Sequence, residues 1–268
     1  MNRYIHEMNL DLSSKNALVC GSSRGIGKAA AIELASLGAN VTLVSRSAQL
    51  MEKVLLELPN LGNQVHDSIV MDLSDHQDVE NKMNSLLEKK QIHILINNTG
   101  GPAPGPAYLA DPASFLTAFN QHLISNQIIS QALIPGMKLS GYGRIINVIS
   151  TSVKQPLDGL GVSNTIRGAV ANWAKTLANE LGQTGITVNN VLPGATSTER
   201  LSQIILNKSQ KSGLSISEVE MKMKSSIPAG RFGKPEEIGA AIAFLASPAA
   251  AYINGTNLVV DGGRTKSL

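Results

Sequence analysis

The stretch Val19-Cys20-Gly21-Ser22-Ser23-Arg24-Gly25-Ile26-Gly27-Lys28-Ala29-Ala30-Ala31 decides the fold. A short apolar run over residues 16–20 leads straight into three glycines, and the glycines lead into a segment with helical periodicity. Glycine has no Cβ, so backbone N–H groups and the N-terminus of the following helix can approach a pyrophosphate closely at such a turn. Strand, glycine turn and helix in that order predict a dinucleotide-binding unit, with Gly21, Ser23, Arg24, Gly25, Ile26 and Gly27 around the phosphates. A tight strand-to-helix turn with no ligand is the plainer alternative, and the flanking strand and helix weigh against it.

The same alternation continues along all 268 residues. β-Branched runs at 16–20, 40–44, 68–71, 92–96, 144–149, 187–191 and 257–260 are separated by longer helical segments. They read as continuous apolar runs, as strands covered by helices on both faces do. About seven such strands predict an α/β fold, a three-layer, doubly wound, Rossmann-like parallel sheet. No Pro/Gly/Ser linker separates two regimes, so residues 1–268 read as a single domain. Ligands of such folds gather at the carboxyl edge of the strands. That edge comprises the glycine turn, then Ser45 and Arg46, Asp72 and Leu73, Asn97 to Gly101, Ser150 to Ser152, and Pro193 to Thr198.

Composition removes several classes of function. Apolar residues make up 43% and charged residues 16%, which excludes intrinsic disorder, and 3% aromatics disfavour a stacking platform for nucleic acid. Lys and Arg total 23 against 20 Asp and Glu, without a basic run, so no nucleic-acid partner is expected. The single cysteine, Cys20, allows neither an intrachain disulfide nor a multi-cysteine metal site, and no metal is expected. Residues 1–16 have no apolar core of a signal peptide, and no apolar run of about 18 residues occurs elsewhere. The expectation is a cytoplasmic protein without a membrane partner.

The glycine spacing here is Gly-x-x-x-Gly-x-Gly, and with it the chain resembles the short-chain dehydrogenase/reductase family. Further motifs of that family follow in order along almost the whole chain. They are Asp72, Asn97-Asn98-Thr99-Gly100, Gly143-Arg144-Ile145-Ile146-Asn147-Val148-Ile149-Ser150, Val188-Asn189-Asn190-Val191-Leu192-Pro193-Gly194, and the stretch from Arg231-Phe232-Gly233 to Asp261-Gly262-Gly263. The resemblance implies an oxidoreductase that moves hydride between a nicotinamide cofactor and a carbonyl or alcohol. It implies that Asp72 and Leu73 contact the adenine, Asn97 and Gly100 line the cofactor channel, and Pro193, Gly194 and Thr196 embrace the nicotinamide amide. The family usually has Ala where Thr99 stands. After the second strand, binders of the non-phosphorylated cofactor usually carry an acidic residue, whereas this chain has Ser45-Arg46. Arg46 and Arg24 are placed to bracket a 2′-phosphate, so NADP(H) is expected in preference to NAD(H).

The catalytic pattern departs from the family. Its members usually employ an Asn in the helix after the fourth strand, a Ser after the fifth, and Tyr-x-x-x-Lys on the next helix. Ser150 stands at the serine position. Thirteen residues on, Ser163 replaces the tyrosine, and Arg167 replaces the lysine four further along. Helical spacing keeps both on one face. An unperturbed serine is a poor proton donor and arginine does not deprotonate near neutral pH, so the usual relay cannot run unchanged. Arg167 can still hydrogen-bond the nicotinamide ribose and supply charge, and Ser163 can act through one ordered water. His122 falls at the asparagine position, either as a proton shuttle or as an interior hydrogen-bonded histidine. The chain is most similar to a divergent subgroup resembling β-ketoacyl-ACP reductases, with Ser-Asn-x-x-Arg in place of Tyr-x-x-x-Lys. The implied partner is a small carbonyl, alcohol or acyl thioester.

Residues 201–226 are expected to form an apolar substrate lid, with Gly100 to Pro106 as the opposite rim and Tyr108 just beyond it. The resemblance also implies a homotetramer through long helices at 112–139 and 159–183. Two other classes of function compete with turnover: a silent cofactor-binding or sensing module, and non-redox lyase or epimerase chemistry.

Overall fold

Strand β1 (Asn16–Cys20) pairs in parallel with β2 (Asn40–Ser45) on one side and β4 (Ile94–Asn97) on the other, and every other pairing in the sheet is also parallel. With β3 (Asp67–Val70), β5 (Gly143–Val148), β6 (Ile186–Pro193) and β7 (Asn257–Val260), the order is β3-β2-β1-β4-β5-β6-β7. The computed structural model describes residues 8–267, so the first seven residues of the segment read for a leader lie outside the described residues. Among the described residues no helix is long and apolar enough to cross a membrane.

Successive strand residues face opposite sides of the sheet, and each side closes its own core. Ala17, Val19, Val41, Leu43, Ile94 and Ile96 pack with Ala30 and Leu34 of α1 (Gly25–Ser36), Met51 of α2 (Ala48–Glu57) and Ile242 of α9 (Pro235–Ala246). Leu18, Cys20, Leu95, Ile145 and Val188 pack with Met83 of α3 (His76–Leu87), Leu133 of α5 (Ser125–Leu139) and Ala174 of α6 (Gly161–Leu181). The predicted strands exist with shifted ends. The fourth begins at Ile94 rather than 92, because pairing with Ala17 and Arg144 starts there, and the sixth extends to Pro193 alongside β7.

Two further observations concern helices. The expected helix over 112–139 is α4 (Pro112–Phe119), a π-helical turn (Asn120–Ile124) and α5 in succession. The wide turn contains His122, and such insertions concentrate at functional sites. The lid segment is two helices, α7 (Glu199–Ser212) and α8 (Ile216–Ser225), which bury Leu201, Ile205 and Val219 together with Met223 and Phe232. Half of the apolar residues read as a substrate-facing cover, Leu201, Ile205, Val219 and Met223, pack in this cluster, while Leu214, Ile216 and Met221 are exposed.

A row of four asparagines crosses the sheet at one register. Asn97 donates to Asn147 (2.9 Å), Asn147 to Asn190 (2.9 Å), and Asn190 to Asn257 (2.8 Å). This polar seam fixes the relative height of β4, β5, β6 and β7, and so of the strand ends above it.

Candidate active site

The glycine turn has the shape of a phosphate cradle. Gly21 has φ +61° and a Cβ there would lie 2.5 Å from the Asn98 carbonyl oxygen, while one on Gly27 would collide with the Gly21 carbonyl. The Asn98 side chain donates to the carbonyls of Cys20 (3.3 Å) and Gly21 (3.2 Å), and Ser22 Oγ accepts from the Val44 amide (2.9 Å). Helix α1 starts at Gly25 with no side-chain cap, leaving its first N–H groups and positive dipole end to a ligand. A backbone this closely packed, ending in an uncapped helix, fits a dinucleotide pyrophosphate.

Beyond β2 Arg46 is exposed, and its charge is felt by Asp72. The Asp72 carboxylate accepts from the Ser74 amide and hydroxyl, and these bonds above all hold its pKa below the usual carboxylate range. Leu73 is anchored through its carbonyl by Ser125. Arg24 does not converge with Arg46 here: it forms an exposed ion pair with Glu199 at the start of α7.

The tips of β4 and β5 are more tightly built. Arg167, 8% exposed, donates to the carbonyls of Val148 (3.0 Å) and Thr99 (3.5 Å), which close β5 and follow β4. Burial draws its guanidinium down to about 10, still cationic at neutral pH. His122, 1% exposed, is hydrogen-bonded through Nδ1 to the Thr99 hydroxyl, and its Nε2 has no partner among the described residues. Burial and then the nearby Arg167 charge push its imidazole down to about 3. Of the two readings of His122, the interior histidine fits; a ring that stays neutral is a poor proton shuttle near pH 7.

Ser150 Oγ accepts the Ser152 amide (3.1 Å), which leaves its own proton free to be donated. Ser163 is half-buried one turn before Arg167 on α6, while its neighbour Asn164 grips the backbone of Leu157. Asn97 is buried, with its amide turned along the asparagine row rather than into an open channel. Beyond β6, Gly194 packs so closely on Asp261 that a Cβ would lie 2.6 Å away, and Thr196 Oγ1 donates to the Gly194 carbonyl (3.1 Å). Gly100 and Gly101 begin the rim, and Gly105 is bonded to Gly159 and Gly161 ahead of α6. Arg200 reaches across to the Pro102 carbonyl (2.9 Å), joining α7 to this rim. Tyr108 is 85% exposed, turned to solvent rather than to the site.

Sequence reading assigned no task to Thr99, although as a departure from the family pattern it was the available signal. It also missed Asn98 as the brace of the glycine turn.

A parallel sheet carrying a glycine cradle at β1 and a buried cation beneath the tips of β4 and β5 defines a nicotinamide-dependent oxidoreductase of the doubly wound class. A family profile described as enoyl-(acyl carrier protein) reductase matches residues 21–265, and the chain belongs to the short-chain dehydrogenase/reductase family. It is 31% identical to 7alpha-hydroxysteroid dehydrogenase of Escherichia coli, over 97% of this chain and 98% of that enzyme. It is 33% identical to 3-oxoacyl-[acyl-carrier-protein] reductase FabG of Haemophilus influenzae, over 94% and 98% respectively. Among solved structures, L-sorbose reductase from Gluconobacter frateurii, complexed with NADPH and L-sorbose, superposes with a TM-score of 0.90 at 27% identity, covering 97% of this chain and all of that one (100%). The chain is a hydride-transfer oxidoreductase by family, and its relatives act on small molecules.

Proposed function

We propose that the protein is an NADP(H)-preferring reductase of small carbonyl compounds, 3-oxoacyl thioesters foremost, working with a substituted catalytic set. The observation that carries this reading is the buried Arg167 held between the ends of β4 and β5, which retains a cation where the family lysine would stand. The reduced nicotinamide supplies the hydride. Gly21, Ser23, Gly25, Ile26 and Gly27 hold the pyrophosphate, Asp72 and Leu73 flank the adenine, and Pro193, Gly194 and Thr196 hold the carboxamide. Exposed Arg46, where binders of the non-phosphorylated cofactor usually carry an acid, and Arg24, once released from Glu199, receive the 2′-phosphate.

Ser150 donates a hydrogen bond to the substrate carbonyl oxygen and keeps its own proton. Arg167 stabilises the negative charge that develops there and hydrogen-bonds the nicotinamide ribose, without giving up a proton itself. The proton reaches the alkoxide from water held by Ser163. His122 stays neutral and positions Thr99. A buried cysteine, its thiol pushed up to about 12 by desolvation, suits a reducing cytoplasm. Leu116, Phe119 and Leu139, exposed along α4 and α5, support association into a homotetramer.

The test is loss of NADPH absorbance on addition of 3-oxoacyl thioesters, ketones or aldehydes, with NADH in parallel. Turnover that falls by about 100-fold or more in Arg167→Ala supports the reading. Tight NADPH binding without turnover on any substrate overturns it, in favour of a cofactor-sensing module. That second reading is favoured by one observation, that Ser163 is too short to replace a tyrosine directly.

A further inference from the structure

At the edge of the sheet opposite the glycine turn, where β5 and β6 begin, lies a cavity of about 660 Å³. Its chemistry is basic. Lys15 Nζ and Arg144 Cζ lie 4.5 Å and 4.2 Å from the centroid of the Tyr142 ring, and all three residues line the cavity. Among the described residues no Asp or Glu lines it and neither cation forms an ion pair. The Asp11 carboxylate feels the charge of Lys15 but forms no ion pair with it, and its Oδ1 accepts from the Ser13 amide (2.8 Å).

Two buried polar atoms here have no partner among the described residues. Arg144 is 3% exposed, and Nη1 donates to the carbonyls of Gly143 (2.8 Å) and Gly185 (3.3 Å), but Nε donates to nothing. Thr187, 6% exposed, has an unpartnered hydroxyl. A buried guanidinium without a counter-charge is costly, and so is an unmade hydroxyl hydrogen bond. Both deficits, in one cavity with a second cation, are met by the same ligand chemistry.

We propose that this cavity binds a small oxyanion, a phosphate- or carboxylate-bearing metabolite, with Lys15 and Arg144 supplying charge and Thr187 a hydroxyl hydrogen bond. Tyr252, fully exposed at the rim, presents an aromatic face to the organic part of the ligand. The size lies within the range of small-molecule sites, and the position at the strands' starting edge separates it from the candidate active site. The inference is independent of the proposed reaction.

The test uses protein saturated with NADPH, so that cofactor phosphate sites are filled, and follows the thermal midpoint with added inorganic phosphate or citrate against chloride at matched ionic strength. A concentration-dependent rise is expected for at least one anion, and the tighter of the two names the class. Lys15→Met should weaken that affinity about tenfold and Thr187→Val severalfold, with Arg46→Ala unchanged. Arg144 is left intact because its bond to the Gly185 carbonyl ties the start of β6 to β5. No rise with either anion overturns the proposal. So does a rise that survives both cavity variants, or one that disappears in Arg46→Ala.

Discussion

Lowering the pH from about 7.5 to 5 should destabilise the protein through His122, by an amount set by its burial. The unfolded chain binds a proton at this ring near 6.5, whereas the folded ring is held down to about 3, first by desolvation and then by Arg167. Between those values the unfolded state carries the extra proton, so stability is fully present above 6.5 and falls as pH drops toward 3. At pH 5 the difference is 1.5 pH units at about 1.4 kcal/mol each, roughly 2 kcal/mol. Urea unfolding of wild type and His122→Asn at both pH values isolates this: the stability gap between them should shift by about 2 kcal/mol in favour of the variant at pH 5. Ring NMR of the five histidines gives a direct check, because the His122 signal should not move above pH 5. A folded-state titration near 6.5 would refute both the buried geometry and the neutral assignment, and would restore the proton shuttle.

Other outcomes follow from the same geometry. Gly27→Ala should abolish tight NADPH binding, measured by fluorescence titration, because its Cβ collides with the Gly21 carbonyl, a backbone atom that cannot step aside. Asn147→Leu, at a site with no solvent exposure, removes one bond from Asn97 and one from Asn190 and should cost about 2–4 kcal/mol in chemical denaturation. Arg46→Ala should raise the NADPH dissociation constant about tenfold and leave that of NADH unchanged, as two parallel titrations would record. Arg167→Lys, Thr99→Ala and His122→Asn should combine non-additively in kcat/KM and stability, with coupling of about 0.5–3 kcal/mol; strict additivity would show that the three act independently.

The fold was legible because a sheet buried on both faces needs apolar residues at every position, and those runs stand out against the amphipathic helices. Strand ends were less legible, since where a strand stops depends on how far its neighbour extends, as with Ile94 opposite Ala17 and Arg144. The asparagine row was hidden for a related reason. Its members lie 50, 43 and 67 residues apart, and asparagine disfavours strands on its own, so only the register shows that each side chain satisfies the next. The π turn left no local signature either: residues 112–139 keep an unbroken helical pattern, and the extra residue shows only in how His122 faces Thr99.

Thr99, His122 and Arg167 each read as a separate departure in the sequence, yet the structure joins them in one set of contacts. The longer arginine reaches two carbonyls at the strand tips, one of them that of Thr99 itself. Its charge, added to burial, keeps His122 neutral, and a neutral imidazole needs a definite partner on Nδ1, which the Thr99 hydroxyl provides and an alanine would not. Each substitution thus creates the condition the next one meets. Restoring lysine alone would give up the fork geometry that holds both carbonyls, and restoring asparagine alone would replace the ring nitrogen that the Thr99 hydroxyl now meets. Thr99, His122 and Arg167 therefore form one connected set of contacts at the tips of β4 and β5, in which the buried charge is anchored and the histidine engaged.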